Sequence, residues 1–167
     1  MTSTDGAPFP AYIALGSNLD QPIARVRSAI AALDDLPKTR LLRASSLYRT
    51  APVGCLPQPD FINAVAQVAT RLSPQALLLA LGAQEAAKGR TRDMPNAPRT
   101  LDLDLLLYAD ETLRTPDLVL PHPRLHLRAF VLIPLHEIAP DLQIPGRGAL
   151  AAWLPAVHAQ VSGVRRI

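Results

Sequence analysis

Two aspartates, Asp102 and Asp104, are the residues whose type and spacing best suit chemistry. They alternate with leucines in residues 101–107, so a β-strand would place both carboxylates on one face and the leucines on the other. Adjacent carboxylates repel each other, and a divalent cation offsets that cost. Mg²⁺ prefers hard oxygen ligands and takes one or two protein carboxylates, with water and substrate phosphates completing its octahedron. The alternative is that both aspartates lie on a solvated sheet face.

Three arginines, Arg90, Arg92 and Arg99, precede this strand, and Arg99 is only three residues before Asp102. Guanidinium groups bind phosphates bidentately, and phosphoryl transfer needs mainly positioning and charge stabilisation from the protein. Each arginine alone would suit a solvated loop, but three beside an acidic pair favour a phosphate site. Residues 89–98 lack apolar periodicity and are predicted to form a mobile cationic loop. The sequence contains neither a P-loop nor a dinucleotide-binding fingerprint.

Length and composition set the wider limits. The chain has 167 residues, of which 49% are hydrophobic, which predicts one domain over residues 11–167 after a flexible N-terminus at 1–10. The formal charge of +3 suits an anionic partner. The single cysteine, Cys55, fits a reducing compartment, and no signal peptide or membrane-spanning run is evident. We therefore expect a cytoplasmic protein without a membrane partner.

The apolar patterns predict a mixed set of elements. Pro22 lies in the first turn of a helix that Asn18 or Asp20 would cap, and Pro134 would interrupt a later helix. The predicted strands cover 11–16, 40–49, 61–71 and 101–108, and the predicted helices 21–36, 74–88, 128–138 and 150–158. This order favours an α+β fold: a two-layer ferredoxin-like domain with helices packed on an antiparallel sheet.

The segment Ala97-Pro98-Arg99-Thr100-Leu101-Asp102-Leu103-Asp104-Leu105-Leu106 carries a family resemblance. Four further blocks lie in register around it, at residues 11–18, 46–50, 59–64 and 121–130. Together they cover roughly residues 11–142. On these motifs the chain resembles the 6-hydroxymethyl-7,8-dihydropterin pyrophosphokinase family of folate biosynthesis.

The resemblance implies an Mg-ATP-dependent enzyme, a 2-amino-4-hydroxy-6-hydroxymethyldihydropteridine diphosphokinase. Such an enzyme transfers the diphosphoryl group of ATP to the hydroxymethyl oxygen of the pterin and releases AMP. The family match implies two Mg²⁺ ions held by Asp102 and Asp104. It also implies that Arg90 and Arg99 are catalytic, on a loop that closes over the phosphates.

The resemblance also implies the substrate contacts. Phe61 and Phe130 match the aromatic pair that sandwiches the pterin, although either alone would more often be a core residue. Pterin binding would also use Asn63 and the backbone of Thr50 and Val53. The ATP-binding residues implied are Glu85, Arg92, His122 and Arg128.

The sequence departs from the family pattern at two positions. Asn96 stands where a tryptophan is frequent in the family, in a slightly shorter loop, and Pro123 replaces an aromatic residue after His122. Two other functions compete with this interpretation. An RNA-recognition module would have aromatic-rich strands, which this sequence lacks. A nucleotidyltransferase would use Gly16-Ser17 together with the two aspartates, but these features lie far apart in the sequence, which disfavours this alternative. We expect two small-molecule substrates, ATP and the pterin, no nucleic acid partner, and a monomer.

Overall fold

The computed structural model describes residues 7–51, 58–87 and 101–167. The predictions made for Val53, Cys55, Arg90, Arg92 and Arg99 therefore lie outside the described residues. The strands are β1 (Phe9–Ser17), β2 (Thr39–Ala44), β3 (Tyr48–Thr50), β4 (Phe61–Thr70), β5 (Asp102–Tyr108), β6 (Leu113–Arg114), β7 (Val119–Leu120), β8 (Gln143–Ile144), β9 (Gly148–Ala149) and β10 (Val164–Arg166). The α-helices are α1 (Pro22–Leu33), α2 (Pro74–Ala87) and α3 (Ala129–Ile138), and 3₁₀ turns cover Leu125–Leu127, Leu150–Trp153 and Pro155–Gly163.

Six strands form the main sheet, in the order β10-β3-β4-β1-β5, with β2 also pairing β4. All these pairs are antiparallel. The long strand β4 pairs first with β3 and then with β2, because the predicted strand 40–49 is divided at Ser45. The Ser45 hydroxyl accepts the Val65 N–H at 2.9 Å, while the Ser45 N–H donates to the Val65 carbonyl at 2.8 Å. A side chain thus replaces one backbone rung of the ladder.

Helices pack on both faces of the sheet. One hydrophobic cluster joins α1 and α2 to β1, β4 and β5 through buried residues such as Val26, Leu81 and Ile62. A second cluster joins α3 to the opposite face through Leu132 and Val65. The face covered by α1 and α2 matches the predicted arrangement of helices on an antiparallel sheet. Helix α3 adds a partial layer on the opposite face. Within the described part of the chain, no helix has the length and apolar character needed to cross a membrane.

The start of α1 differs from the prediction that Asn18 or Asp20 caps it. Gln21 occupies the N-cap position with a φ of 60° and makes no side-chain capping hydrogen bond. Asn18 is instead buried and donates from Nδ2 to the Gln58 side chain at 2.8 Å and to the Pro59 carbonyl at 2.9 Å. Asn18 therefore anchors the segment that leads into β4 rather than the helix.

Strand β5 contains an irregularity that changes its side-chain alternation. Tyr12 pairs with Leu107 but Ile13 pairs with Leu105, so Leu106 is an extra residue on β5. Beyond it, Tyr108 rather than Leu107 joins the cluster under α1 and α2, whereas the sequence pattern predicted the reverse. The predicted alternation holds up to Leu105, which is the part of the strand that carries the two aspartates.

In the C-terminal third, one further prediction was wrong and a second was met only in part. Helix α3 continues through Pro134 without interruption, because its apolar side chains, Leu132 and Leu135 among them, are buried against the sheet. The predicted helix at 150–158 consists of two 3₁₀ segments. The chain then returns to the sheet as β10, where Val164 pairs with Thr50 of β3.

Glu137 links α3 to β3 and β10. Its carboxylate accepts hydrogen bonds from Tyr48 Oη at 2.6 Å and from the Ser46 N–H and hydroxyl at 2.9–3.1 Å. The Arg166 guanidinium lies 3.7 Å away. Burial opposes ionisation, but the hydrogen bonds and Arg166 outweigh it and lower the pKa of Glu137. Tyr48 shows the reverse effect, since burial and its bond to Glu137 raise its pKa to about 12.

Replacing Glu137 should destabilise the fold in a pH-dependent way. We expect Glu137→Ala to lower the free energy of unfolding by roughly 2–3 kcal/mol near neutral pH, because the Tyr48 hydroxyl loses its acceptor. The folded-state pKa lies below the usual 4.5, so the carboxylate stabilises the fold above that pH and stops doing so as the pH falls through the lowered value. The advantage of the wild type over Glu137→Gln should therefore shrink in acid.

Urea denaturation at neutral and acidic pH measures this effect. Arg166→Ala is the matched control, because its side chain is 65% exposed and its ion pair should contribute less than about 1 kcal/mol. An equal loss in Arg166→Ala and Glu137→Ala would contradict the assignment to the hydrogen bonds.

Candidate active site

One row of residues crosses the sheet from the predicted metal site to the predicted pterin site. Asp102 of β5 pairs with Gly16 of β1, Gly16 pairs with Asn63 of β4, and Asn63 pairs with Tyr48 of β3. Residues paired across strands direct their side chains to the same face. Adjacent strands lie about 4.8 Å apart, so two strand spacings, about 10 Å, separate Asp102 from Asn63. The fold therefore brings these two predicted site residues together.

The two aspartates lie opposite small residues of β1. Asp102 and Asp104 are both half-buried and lie opposite Gly16 and Ala14 of β1. Neither partner has a side chain beyond Cβ, so β1 itself places no bulky side chain beside the carboxylates. Among the described residues, no three His, Cys, Asp or Glu side chains cluster to hold a metal. Two carboxylates beside such small residues fit Mg²⁺, which takes its other ligands from water and phosphates.

Asn63 is held in place from two sides. Its Nδ2 donates to the Thr50 hydroxyl at 2.9 Å, and both residues are buried. Its Oδ1 lies over Gly16, where an added Cβ would be only 3.0 Å from this oxygen. The glycine is therefore needed for the close approach of the amide to β1. An amide fixed in this way can present a defined donor and acceptor pattern to a heterocycle.

The two predicted stacking residues come from different elements. Phe61 is the first residue of β4, opposite Thr50, and Phe130 lies in the first turn of α3; both are half-buried. The Arg128 guanidinium lies 5.5 Å from the centre of the Phe130 ring, within cation–π range. Gln160 of the C-terminal segment accepts the Ala129 N–H and donates to the Leu127 carbonyl, each at 3.0 Å. It therefore fixes the start of α3.

His122 lies next to β5 and is neutral at pH 7. Its backbone N–H donates to the Leu106 carbonyl at 2.9 Å, and its Nδ1 accepts the Arg124 N–H at 3.1 Å. The neutral ring therefore carries its proton on Nε2. Burial, followed by the positive charges of Arg128 and Arg124, lowers the pKa of His122 to about 4, although the charge of Asp102 acts in the opposite direction.

Glu85 of α2 contacts the backbone of the strand that carries the aspartates. Its side chain is buried, and Oε2 accepts the Leu103 N–H at 2.7 Å. Leu103 stands between Asp102 and Asp104. The contact with ATP predicted for Glu85 stays a prediction, as do those of His122 and Arg128.

Gly16, Asn18 and Glu137 were not among the predicted site residues: Asn18 was predicted only as a possible helix cap, and Gly16 entered only the nucleotidyltransferase alternative. Gly16 and Asn18 belong to the block at residues 11–18, which carried part of the family resemblance, so their signal was present. The family resemblance marked the whole block and gave no role to single residues in it. The contact between Gly16 and Asn63 becomes visible only with the cross-strand register. Glu137 lies in none of the blocks.

Solved structures with a similar backbone establish the class of fold. The crystal structure of an HPPK-DHPS in complex with substrates superposes with a TM-score of 0.76 at 13% sequence identity, covering 96% of this chain and 47% of that one. A wild-type Plasmodium falciparum HPPK-DHPS with pterin and p-hydroxybenzoate gives a TM-score of 0.73 at 14% identity. This chain thus spans about half the length of those longer chains. These likenesses confirm the predicted α+β ferredoxin-like fold.

Sequence comparison establishes the family. The model of the 7,8-dihydro-6-hydroxymethylpterin-pyrophosphokinase (HPPK) family matches residues 12–140, so the chain belongs to this family. A 2-amino-4-hydroxy-6-hydroxymethyldihydropteridine pyrophosphokinase of Pseudomonas aeruginosa is 47% identical over 145 residues, covering 87% of this chain and 90% of the relative. The enzyme of the same name from Haemophilus influenzae is 47% identical over 135 residues, covering 81% and 84%. The resemblance seen in the sequence blocks is confirmed.

Adding a methyl group at Gly16 should disturb the Asn63 amide. In Gly16→Ala the new Cβ would push the Asn63 amide away from β1 and weaken its hydrogen bond to Thr50. We expect the KM for the pterin to rise by roughly three- to tenfold, or about 0.7–1.4 kcal/mol, with little change in the KM for ATP.

Steady-state kinetics with each substrate varied in turn measures this separation. Gly82→Ala is the matched control, because a Cβ at Gly82 of α2 meets nothing within 4 Å and alanine favours the helix. An unchanged pterin KM in Gly16→Ala would show that the amide position does not govern pterin binding.

Proposed function

We propose that this chain transfers the diphosphoryl group of ATP to the hydroxymethyl oxygen of 6-hydroxymethyl-7,8-dihydropterin and releases AMP, as a step of folate biosynthesis. The observation that carries the proposal is the row from Asp102 through Gly16 to Asn63 on one sheet face. A carboxylate pair suited to metal-bound phosphates and an amide suited to a pterin edge lie about 10 Å apart. This distance would allow the hydroxymethyl group of a pterin at Asn63 to meet the triphosphate of an ATP at the aspartates, above β1.

The pterin would bind at the β3–β4 end of this row. Phe61 and Phe130 would stack on the two faces of the ring, and Asn63 would bind its pyrimidinone edge. The Thr50 hydroxyl holds the Asn63 amide in one orientation, which lowers the ordering cost on binding. The backbone of Thr50, and that of Val53, would complete the edge contacts.

The triphosphate would bind at the β5 end. Asp102 and Asp104 would hold Mg²⁺, two ions by analogy with the family, which offsets negative charge on the phosphates when bound. The hydroxymethyl oxygen attacks the β-phosphorus and loses its proton, and the bond from this phosphorus to the α–β bridging oxygen breaks so that AMP leaves. Arg90 and Arg99 would stabilise the charge that develops on the phosphates and on the departing AMP.

The nucleotide would also contact Arg92, Arg128, His122 and the region of Glu85. Neutral His122 offers an Nε2–H donor without adding charge, while Arg128 beside it offers a cation to phosphate or sugar oxygens. Asn96 and Pro123 replace aromatic residues frequent in the family, so stacking on the adenosine should be weaker here. We further propose that the protein acts as a cytoplasmic monomer without a nucleic acid partner.

Product analysis tests the proposed reaction. Incubating the protein with ATP, Mg²⁺ and the hydroxymethyl-dihydropterin should yield AMP and the pterin diphosphate in equal amounts. Neither product should form when the pterin is omitted or the metal is chelated. Formation of ADP, or of free pyrophosphate, as the product from ATP would refute the proposal.

Removing either aspartate should abolish metal-dependent turnover. We expect Asp102→Ala and Asp104→Ala to lower kcat at least about a thousandfold, equivalent to ~4 kcal/mol, because each removes a metal ligand. Both variants should still fold, because the leucines that alternate with the aspartates stay buried in the core. Asp110→Ala, an exposed acid just after β5, is the control and should retain full activity.

Calorimetric titration of Mg²⁺ with a non-hydrolysable ATP analogue gives a readout separate from turnover. Retained metal binding in both aspartate variants, with a melting temperature like that of the wild type, would remove these residues from the metal site.

A further inference from the structure

Strand β5 carries the aspartate pair, and among the strands of the described residues it pairs only with β1, at the edge of the main sheet. In an antiparallel pair, alternate residues exchange backbone hydrogen bonds with the neighbouring strand, and those between them direct their N–H groups outward. The Leu103 N–H donates to Glu85 rather than to β1. It follows that Asp102 and Asp104 face β1 with their backbone groups, and that Glu85 holds the residue between them from the outer side.

Glu85 is placed to control the geometry of the aspartates. Its Oε2 is 2.7 Å from the Leu103 nitrogen, which is bonded to the carbonyl carbon of Asp102. The oxygen therefore lies no more than about 5 Å from the Asp102 Cα. An edge strand without such a contact can bend away from its neighbour, and the two carboxylates would then change their separation and direction.

Glu85 is buried on the core-facing side of α2. Its side chain is only 4% exposed and lies on the face of α2 that also buries Leu77 and Leu81. Removing a carboxylate from water is costly, and the short bond to a backbone N–H recovers part of that cost. The hydrogen bond therefore fixes the position of α2 relative to β5.

We infer that Glu85 is a positioning residue, which holds Leu103 so that Asp102 and Asp104 present their carboxylates to the metal-bound triphosphate. This inference rests on the proposed function, and it assigns Glu85 an indirect role on the nucleotide side. Residues that orient metal ligands typically change metal affinity by 10- to 100-fold when removed.

Two substitutions separate an indirect role from direct contact with ATP. Glu85→Gln keeps an oxygen acceptor for the Leu103 N–H, whereas Glu85→Ala removes it. We expect Glu85→Ala to weaken Mg²⁺ binding, titrated calorimetrically with a non-hydrolysable ATP analogue, by about tenfold or more. Glu85→Gln should stay within about threefold of the wild type, and the pterin KM should be unchanged in both.

The Leu103 amide provides a signal that does not depend on turnover. In ¹⁵N NMR spectra its proton should shift upfield and exchange faster in Glu85→Ala, but hardly change in Glu85→Gln. Tyr108→Phe is the matched control, because the Tyr108 hydroxyl also ties β5 to the start of the α2 region through the Leu72 carbonyl. This variant should leave both the Leu103 amide and metal binding unaltered.

The outcomes separate this inference from the proposed reaction. Equal weakening of metal binding in Glu85→Gln and Glu85→Ala, with an unperturbed Leu103 amide in the Gln variant, would overturn the positioning role in favour of direct contact. Unchanged metal binding in both variants would overturn it as well. If Glu85→Ala does not fold, Glu85→Gln alone still decides between the two. Absence of AMP formation by the wild type would refute the proposed function. The Leu103 amide signal would still show whether Glu85 holds β5.

Discussion

The pairing of β1 between β4 and β5 is the constraint on which the site depends. It brings residues far apart in the chain, Asn63 and Asp102, to either side of Gly16. The register is fixed by burial on both faces, since a shift by one residue would move Ile13 and Leu15 out of the core beneath α1 and α2. Hydrophobic packing on one face thus determines which polar groups meet on the other.

Much of this arrangement was predictable from local patterns. The alternation of Leu103 and Leu105 with the aspartates indicated a strand with a polar face, and that pattern holds in β5. The spacing of Val26 and Leu33 indicated the buried side of α1. The family resemblance then supplied roles for Asn63 and Phe61 that composition alone would have assigned to a turn and to the core.

The remaining features depend on contacts between distant residues. The extra residue at Leu106 is visible only against β1, and the division between β2 and β3 depends on the Ser45 side chain replacing a backbone rung. Asn18 looked like a helix cap because the local sequence suits one, but its amide binds Gln58 and Pro59, forty residues away. Helix α3 keeps Pro134 because tertiary packing outweighs the lost hydrogen bond.

The C-terminal segment meets the predicted pterin pocket at two places. Gln160 fixes the start of α3 beside Phe130, and Val164 of β10 pairs with Thr50. Residues 141–167 lie beyond the part of the chain that the family model matches. Gln160 also holds the backbone on both sides of Arg128, so substitutions in this segment would reach the proposed sites of both substrates through the start of α3.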